Sequence, residues 1–124
     1  YGWPIVSYGR EYSNRSPIGD APEEHPEVVL PLVYWSPTSI APSGMTFYTA
    51  SRFPQWQGDL FLGALAETHL RRLEIDGERV VSQEIMLADR GRRIRDVAQG
   101  PDGYLYVLTD HDNGELLRLA PADE

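Results

Sequence analysis

Cysteine and lysine are both missing from the 124 residues, and no long apolar run occurs. Without cysteine there are no disulfides, no thiolate metal sites and no cysteine nucleophile, and the redox compartment stays open. Without lysine, all eleven basic residues are arginine, and nineteen acidic residues outnumber them to give a net charge of −8. That balance disfavours nucleic acid as a partner, since affinity for a phosphate backbone rests on an excess of basic side chains. No apolar stretch approaches the roughly 18 residues that a membrane helix requires, so no membrane span is expected. The chain opens Tyr1-Gly2-Trp3-Pro4, with neither an initiator Met nor a signal-like apolar run, which suggests that an upstream portion has been cut away.

Proline and glycine, by contrast, are plentiful, at ten and eleven residues spread along the chain. Turns at that frequency argue against long helices, and short runs of aliphatic and aromatic residues between them read as strands. Tyr104 to Thr109 follows the turn signal Gly100-Pro101-Asp102-Gly103. Asp110-His111-Asp112-Asn113-Gly114 then leads to a return strand at Leu116-Leu117-Arg118-Leu119, with Asn113-Gly114 suited to a type I′ turn, whose central residues both need positive φ. The same arrangement lies earlier. Leu60-Phe61-Leu62 is matched by Leu105-Tyr106-Val107, and Leu70-Arg71-Arg72-Leu73 by Leu116-Leu117-Arg118-Leu119, a repeat of about 45 residues. Short hairpin strands at that period indicate the blades of a β-propeller.

The expected fold is therefore all-β: a partial propeller of about two four-stranded antiparallel blades. The first blade takes Met45 to Thr49, Asp59 to Leu65, His69 to Ile75 and Val80 to Leu87. The second takes Arg93 to Ala98, Tyr104 to Thr109 and Glu115 to Ala120, and lacks an outer strand. The organisation reads as a loop-rich segment with an extended strand from a preceding blade, at Val28 to Trp35 (1–37), a complete blade (38–90) and an incomplete last blade (91–124). Open blade edges favour self-association.

Within Gly91-Arg92-Arg93-Ile94-Arg95-Asp96, Arg93 and Arg95 are two residues apart. On a strand both project from one face, while Ile94 enters the sheet packing. Two planar guanidiniums side by side can clamp a flat polyanion through paired hydrogen bonds to its carboxylates. The alternative is that they pair with Asp89, Asp96 or Asp110 on a solvated edge. Tyr1-Gly2-Trp3-Pro4 offers an aromatic wall for a ligand, or a Trp packed on a loop. Ser36 to Met45 reads as an inter-strand connection, and Ser39 and Ser43 have no His-Asp pairing that would make a hydrolytic triad. His25, His69 and His111 are scattered without metal-ligand spacing, so surface or turn positions are expected for all three. Asp110 to Gly114 lacks the length and terminal acid of an EF-hand loop. The acidic pairs Glu23-Glu24 and Asp123-Glu124 are expected to solvate loop and terminus.

Tyr1-Gly2-Trp3-Pro4, the run Ser36 to Met45, Phe53-Pro54-Gln55-Trp56-Gln57-Gly58-Asp59-Leu60-Phe61, Arg93-Ile94-Arg95-Asp96-Val97 and Gly100 to Asp110 together resemble the C-terminal third of the soluble glucose and aldose sugar dehydrogenases. The resemblance spans essentially the whole chain. It implies a six-bladed β-propeller using pyrroloquinoline quinone (PQQ) and calcium to oxidise aldoses at C1 by hydride transfer, with a periplasmic or secreted location and a further electron acceptor. It implies that Arg93 and Arg95 bind the carboxylates of PQQ and that Tyr1 and Trp3 contribute to the substrate pocket. The histidine base and the calcium ligands fall to upstream blades, leaving no catalytic or metal-ligating residue here. Where the family commonly places a lysine on the cofactor, this sequence has Ala66-Glu67-Thr68, and the lost charge would weaken cofactor binding. A non-catalytic propeller module that binds carbohydrate or protein is the competing class. A lactonase-type hydrolase would need acidic ligands converging on a centre, which the spacing of Asp96, Asp102 and Asp110 does not supply.

Overall fold

The structure is a computed structural model, and it describes residue 8 and residues 16–27, 29–35 and 39–122. The chain forms two units, Tyr1–Ser39 and Ile40–Glu124. In the first, the only regular element among the described residues is a single 3-10 turn at Pro22–Glu24. The Tyr8 ring stacks on Tyr34, with centroids 3.7 Å apart and planes 5° from parallel. The Tyr8 hydroxyl donates to the Glu23 carboxylate, and that bond, with lesser burial, pushes its pKa up to about 12. Glu23 therefore does more than solvate the loop. His25 stands between two carboxylates, Nε2 3.0 Å from Asp20 and Nδ1 3.0 Å from Glu27. Those hydrogen bonds, Asp20 first, raise its pKa because only the imidazolium can donate from both nitrogens. Residues 29–35 carry no strand pairing, and Val29, Leu30, Leu32 and Tyr34 are exposed.

The second unit holds seven strands in two antiparallel sheets. β1 (Pro42–Phe47), β2 (Leu60–Ala64), β3 (His69–Asp76) and β4 (Arg79–Met86) form one sheet in that spatial order. β5 (Ile94–Gln99), β6 (Leu105–Thr109) and β7 (Leu116–Leu119) form the other. These are the four-stranded and three-stranded blades expected from the repeat, with β2 and β6 as its matched strands. β2 is buried along nearly its whole length, which is why Leu60-Phe61-Leu62-Gly63-Ala64 reads as a continuous apolar run. β6 alternates, burying Leu105, Val107 and Thr109 while Tyr106 and Leu108 turn away. β4 is an outer strand, exposed at most positions.

Three local expectations give way. β1 starts at Pro42 rather than Met45. A proline is tolerated there because the strand lies at a sheet edge and its first residue needs no donor. Leu65 N–H donates to Ala41 O (3.0 Å) and Ala66 N–H to Ile40 O (3.1 Å), continuing the pairing upstream. Second, neither Asn113 nor Gly114 adopts positive φ, so there is no type I′ turn. The β6–β7 connection is longer, and Thr109 closes it: its N–H donates to Glu115 O at 3.0 Å and its Oγ1 accepts from Glu115 N–H at 2.8 Å. Third, His69 is buried, 2 % exposed, rather than on the surface. Its Nδ1–H donates to Glu67 O (3.0 Å) and its Nε2 accepts from Arg71 Nε–H (3.1 Å), so both ring nitrogens are satisfied with the ring neutral.

The core lies between the sheets. Tyr48, Phe53, Phe61, Leu70, Ile94, Val97, Leu105 and Val107 form one buried cluster, and each large apolar side chain there is worth roughly 1.5–3 kcal/mol relative to exposure. Trp56 joins through rings, stacked on Phe53 (4.4 Å) and edge-on to Phe61 (5.3 Å). Tyr48 is wholly buried, and its hydroxyl donates to Gly103 O (2.7 Å) while accepting from Phe53 N–H (3.0 Å). Gln99 ties the second sheet to the first, its Oε1 accepting from Thr49 N–H (2.7 Å) and Ala50 N–H (3.2 Å). At the other end of β1, Ser43 Oγ donates to Ile94 O at 2.6 Å, a structural role for a serine with no catalytic partner. Here the strands approach so closely that a β-carbon at Gly44 would lie 1.8 Å from Asp96 Oδ1 and 2.9 Å from Asp96 Cα. One at Gly63 would lie 2.7 Å from Ile94 Cγ2.

Inside the first sheet, Asp59 is 5 % exposed and accepts from Arg72 Nη1 at 2.6 Å, while Arg72 Nε reaches Glu84 at 3.0 Å. Asp59→Ala should destabilise the fold by about 3 kcal/mol in urea titration, because the mostly buried guanidinium loses its nearer counter-charge. The double variant Asp59→Leu/Arg72→Met should cost less than that single change.

His69 supplies a pH dependence. Burial is the main cause that lowers its pKa below the usual 6.5, with the Arg71 charge adding to it. The folded state therefore favours the neutral ring. The stability tied to this is complete above the unfolded value near 6.5, and it declines as pH falls through that value toward the lower folded one. Urea titrations at decreasing pH should show the stability gap between wild type and His69→Gln narrowing. A gap unchanged with pH would contradict a neutral, buried ring.

Candidate functional site

The second sheet begins with the arginine-rich run. A 3-10 turn at Ala88–Arg90 ends in Gly91, whose φ of +61° only glycine adopts without strain. β5 starts directly afterwards. Ile94 is 1 % exposed and anchors the strand, so Arg93 and Arg95 flank it on the opposite face. Both are half-exposed, and both point at one atom: Arg93 Nη2 is 3.1 Å and Arg95 Nη2 3.0 Å from Oδ2 of Asp110. Of the three carboxylates that spacing allowed as partners, Asp110 takes both arginines. Its backbone N–H donates to Arg93 O at 2.7 Å, so the end of β6 is laced to the start of β5. Arg92 faces elsewhere, with Nε 4.0 Å from Glu115.

The same end of the unit gathers further features. Pro42 pairs with Ala64 and Ser43 bonds Ile94, so the β2–β3 turn at Leu65 to Thr68 sits at the end that carries Arg93. Met86 pairs with Leu70 and brings the end of β4 there too. Ala41, Thr68 and Leu87 hold φ of 51°, 47° and 60°, and these are the non-glycine residues with positive φ among those described. Such backbone strain persists only where the surroundings over-determine it, and it concentrates at functional ends of folds. Glu67 is exposed in this turn, and its carbonyl is engaged by His69. The position where a lysine was sought therefore presents no cation.

Chemically, the pair is two adjacent guanidiniums that already hold one carboxylate, that of Asp110. Each guanidinium has five N–H donors, and Asp110 engages one nitrogen of each. With both side chains half-exposed, a planar anion with carboxylates on one edge can lie across the donors that Asp110 leaves unused. Tyr1 and Trp3, the sequence's candidates for the substrate pocket, lie outside the described residues. No group of three or more His, Asp or Glu among the described residues could hold a metal ion. A cleft of about 740 Å³ lies elsewhere, lined by Arg52, Phe53, Trp56, Met86, Arg118 and Leu119 among others. Its size does not make it the site, because it excludes Arg93, Arg95 and Asp110. Arg52 and Arg118 there lie over the Tyr104 ring at 4.6 and 4.8 Å, which accounts for their placement.

What sequence reasoning missed is the convergence on Asp110. The signal was present in Thr109-Asp110 at the end of the strand matched to Arg93-Ile94-Arg95, but the partner emerges only from the register, in which Ile94 faces Thr109.

Known proteins resemble this chain in sequence and in fold. The sequence profile of the Glucose / Sorbosone dehydrogenase family matches residues 1–118. An uncharacterised protein of Synechocystis is 48% identical over 119 residues, covering 96% of this chain and 28% of that protein. The aldose sugar dehydrogenase YliI of Escherichia coli is 46% identical, covering 98% of this chain and 32% of its own length. Among solved structures, a glucose dehydrogenase aligns with a TM-score of 0.89 at 48% identity, over 98% of this chain and 35% of its own. The soluble E. coli aldose sugar dehydrogenase in its apo-form aligns with a TM-score of 0.79 at 46% identity, over 98% and 35%. The chain thus spans about a third of the length of these relatives. On a profile matched over nearly every residue and a shared arrangement of the two blades, the chain belongs to the glucose/sorbosone dehydrogenase family of oxidoreductases.

Proposed function

We propose that this chain supplies the carboxylate clamp of a PQQ-dependent aldose dehydrogenase, with Arg93 and Arg95 holding carboxylates of the quinone. The observation that carries this is the convergence of two half-exposed guanidiniums on a single carboxylate oxygen. Asp110 stands in for one carboxylate, and the donors it leaves unused suit the edge of a planar tricarboxylate. When bound, the quinone supplies the acceptor for hydride leaving the sugar C1, with calcium polarising it. The chain's own residues bind and orient: the clamp fixes the plane and edge of the cofactor, and the substrate-pocket role expected of Tyr1 and Trp3 belongs to the same proposal. The same reading assigns the general base and the calcium ligands to segments outside this chain. The strained backbone at Ala41, Thr68 and Leu87 lines the same end and supports the reading.

Because the β2–β3 turn offers Glu67 in place of a cation, the two arginines carry the anion recognition from this chain alone. Release of electrons to a second acceptor and a periplasmic or secreted location belong to the same reading. The outer edges of β4 and β7 are unpaired within the two sheets and favour association of the isolated chain.

A second reading is favoured by the same ion pairs: a propeller module in which the arginines serve only to tie β5 to β6 through Asp110. The two are separated by titrating PQQ, with calcium present, into a protein of the relatives' full length that carries this chain. Arg93→Ala and Arg95→Ala should each weaken PQQ binding by about 1.5–3 kcal/mol, the worth of a charge-assisted hydrogen-bonded pair. Unchanged affinity would leave only the structural role. The 124-residue chain by itself should oxidise no aldose with PQQ and calcium supplied, and measurable turnover would place the general base within it.

A further inference from the structure

We infer that Asp110 is the positioning residue of the clamp: it sets where Arg93 and Arg95 point and so readies them for a polycarboxylate. The inference rests on the reading of this site as a carboxylate receptor. Arg93 and Arg95 are 53% and 51% exposed, so packing does not direct them. The residue between them, Ile94, is the one held by the core. Two neighbouring guanidiniums in solvent repel each other and keep many rotamers. Here both end on Oδ2 of Asp110, which offsets the repulsion and gives the two side chains one common direction.

Asp110 can do this because it is itself held. Its backbone N–H donates to Arg93 O at 2.7 Å. Its neighbour Thr109 is 5 % exposed and bonds Glu115 through both backbone and hydroxyl. The carboxylate therefore sits at a position defined by the sheet, and the arginines inherit that definition through it. The Asp110 charge also opposes an incoming anion. The three groups still sum to one positive charge, and the ordering of two otherwise free side chains outweighs that opposition, since a bound carboxylate gains most from forks already aligned. Asp110 acts only through the arginines, which distinguishes it from a residue that merely supports the fold.

The test uses Asp110→Ala and Asp110→Asn in the full-length protein, each also placed in an Arg93→Ala/Arg95→Ala background. PQQ binding is read by fluorescence titration and side-chain order by ¹⁵N relaxation at Nε of Arg93 and Arg95. Asp110→Ala should weaken PQQ binding about tenfold, and Asp110→Asn by less, because the amide oxygen still accepts from both arginines without the charge. Nε order should fall at both arginines in Asp110→Ala, and neither Asp110 variant should weaken binding once the arginines are gone. Equal or tighter binding by Asp110→Ala, or a loss that persists in the arginine-free background, overturns the inference while leaving the cofactor reading intact. If the wild-type protein does not bind PQQ, the cofactor reading fails. Nε order then decides: a fall in Asp110→Ala sustains the positioning role and no fall overturns it.

Discussion

The close approach of β1 to β5 is the constraint on which the rest of this structure depends. Two sheets can share one core only if their neighbouring edges meet without a gap, and here the meeting is so tight that Gly44 and Gly63 leave no room for a β-carbon. Hydrogen bonds close both ends of the seam, from Ser43 to Ile94 at one and from Thr49 and Ala50 to Gln99 at the other. Between them Tyr48 fills the buried space and satisfies its own hydroxyl twice. A fully buried phenol is tolerable only with such partners. The seam fixes the position of the start of β5, where Arg93 and Arg95 stand.

Electrostatics explains why a chain of net charge −8 concentrates arginines there. The overall excess of acid governs the surface at large, but over a few ångströms it is the nearest charges that matter, because solvent and salt screen the rest. Arg72 and the Arg93/Arg95 pair show the two uses of the same side chain. Arg72 is mostly buried and committed to Asp59 and Glu84, so its work is structural. Arg93 and Arg95 are half-exposed and share one carboxylate, which is the basis for proposing that they take a further anion.

Much of the fold was legible from residue order. The repeat linking Leu60-Phe61-Leu62 to Leu105-Tyr106-Val107 located the paired strands, since a strand buried on both faces needs a continuous apolar run and turns must be marked by glycine and proline. The limits of β1 were not, because Pro42 argues locally for a connection and only pairing to Ala64 makes it a strand. His69 was misplaced for a similar reason. Its burial depends on Glu67 O and Arg71 satisfying both ring nitrogens, and neither contact follows from a lone histidine after a turn. Asn113-Gly114 carries a strong local turn preference, yet Thr109 and Glu115 close a longer loop around it.

For the candidate site, the two-residue spacing of Arg93 and Arg95 about the apolar Ile94 pointed to a shared direction, while the bulge between Ile94 and Asp96, which leaves both Arg95 and Asp96 exposed, follows only from the pairing with β6. Only the tertiary structure decided what the two arginines face. Asp89, Asp96 and Asp110 were equal candidates by spacing, and the β5–β6 register, set by which residues each strand must bury, brought Asp110 to both arginines. Periodicity is a property of one strand and can be read from one strand. A meeting of charges from two strands depends on how each is laid against the other, and that is settled by the core they jointly fill.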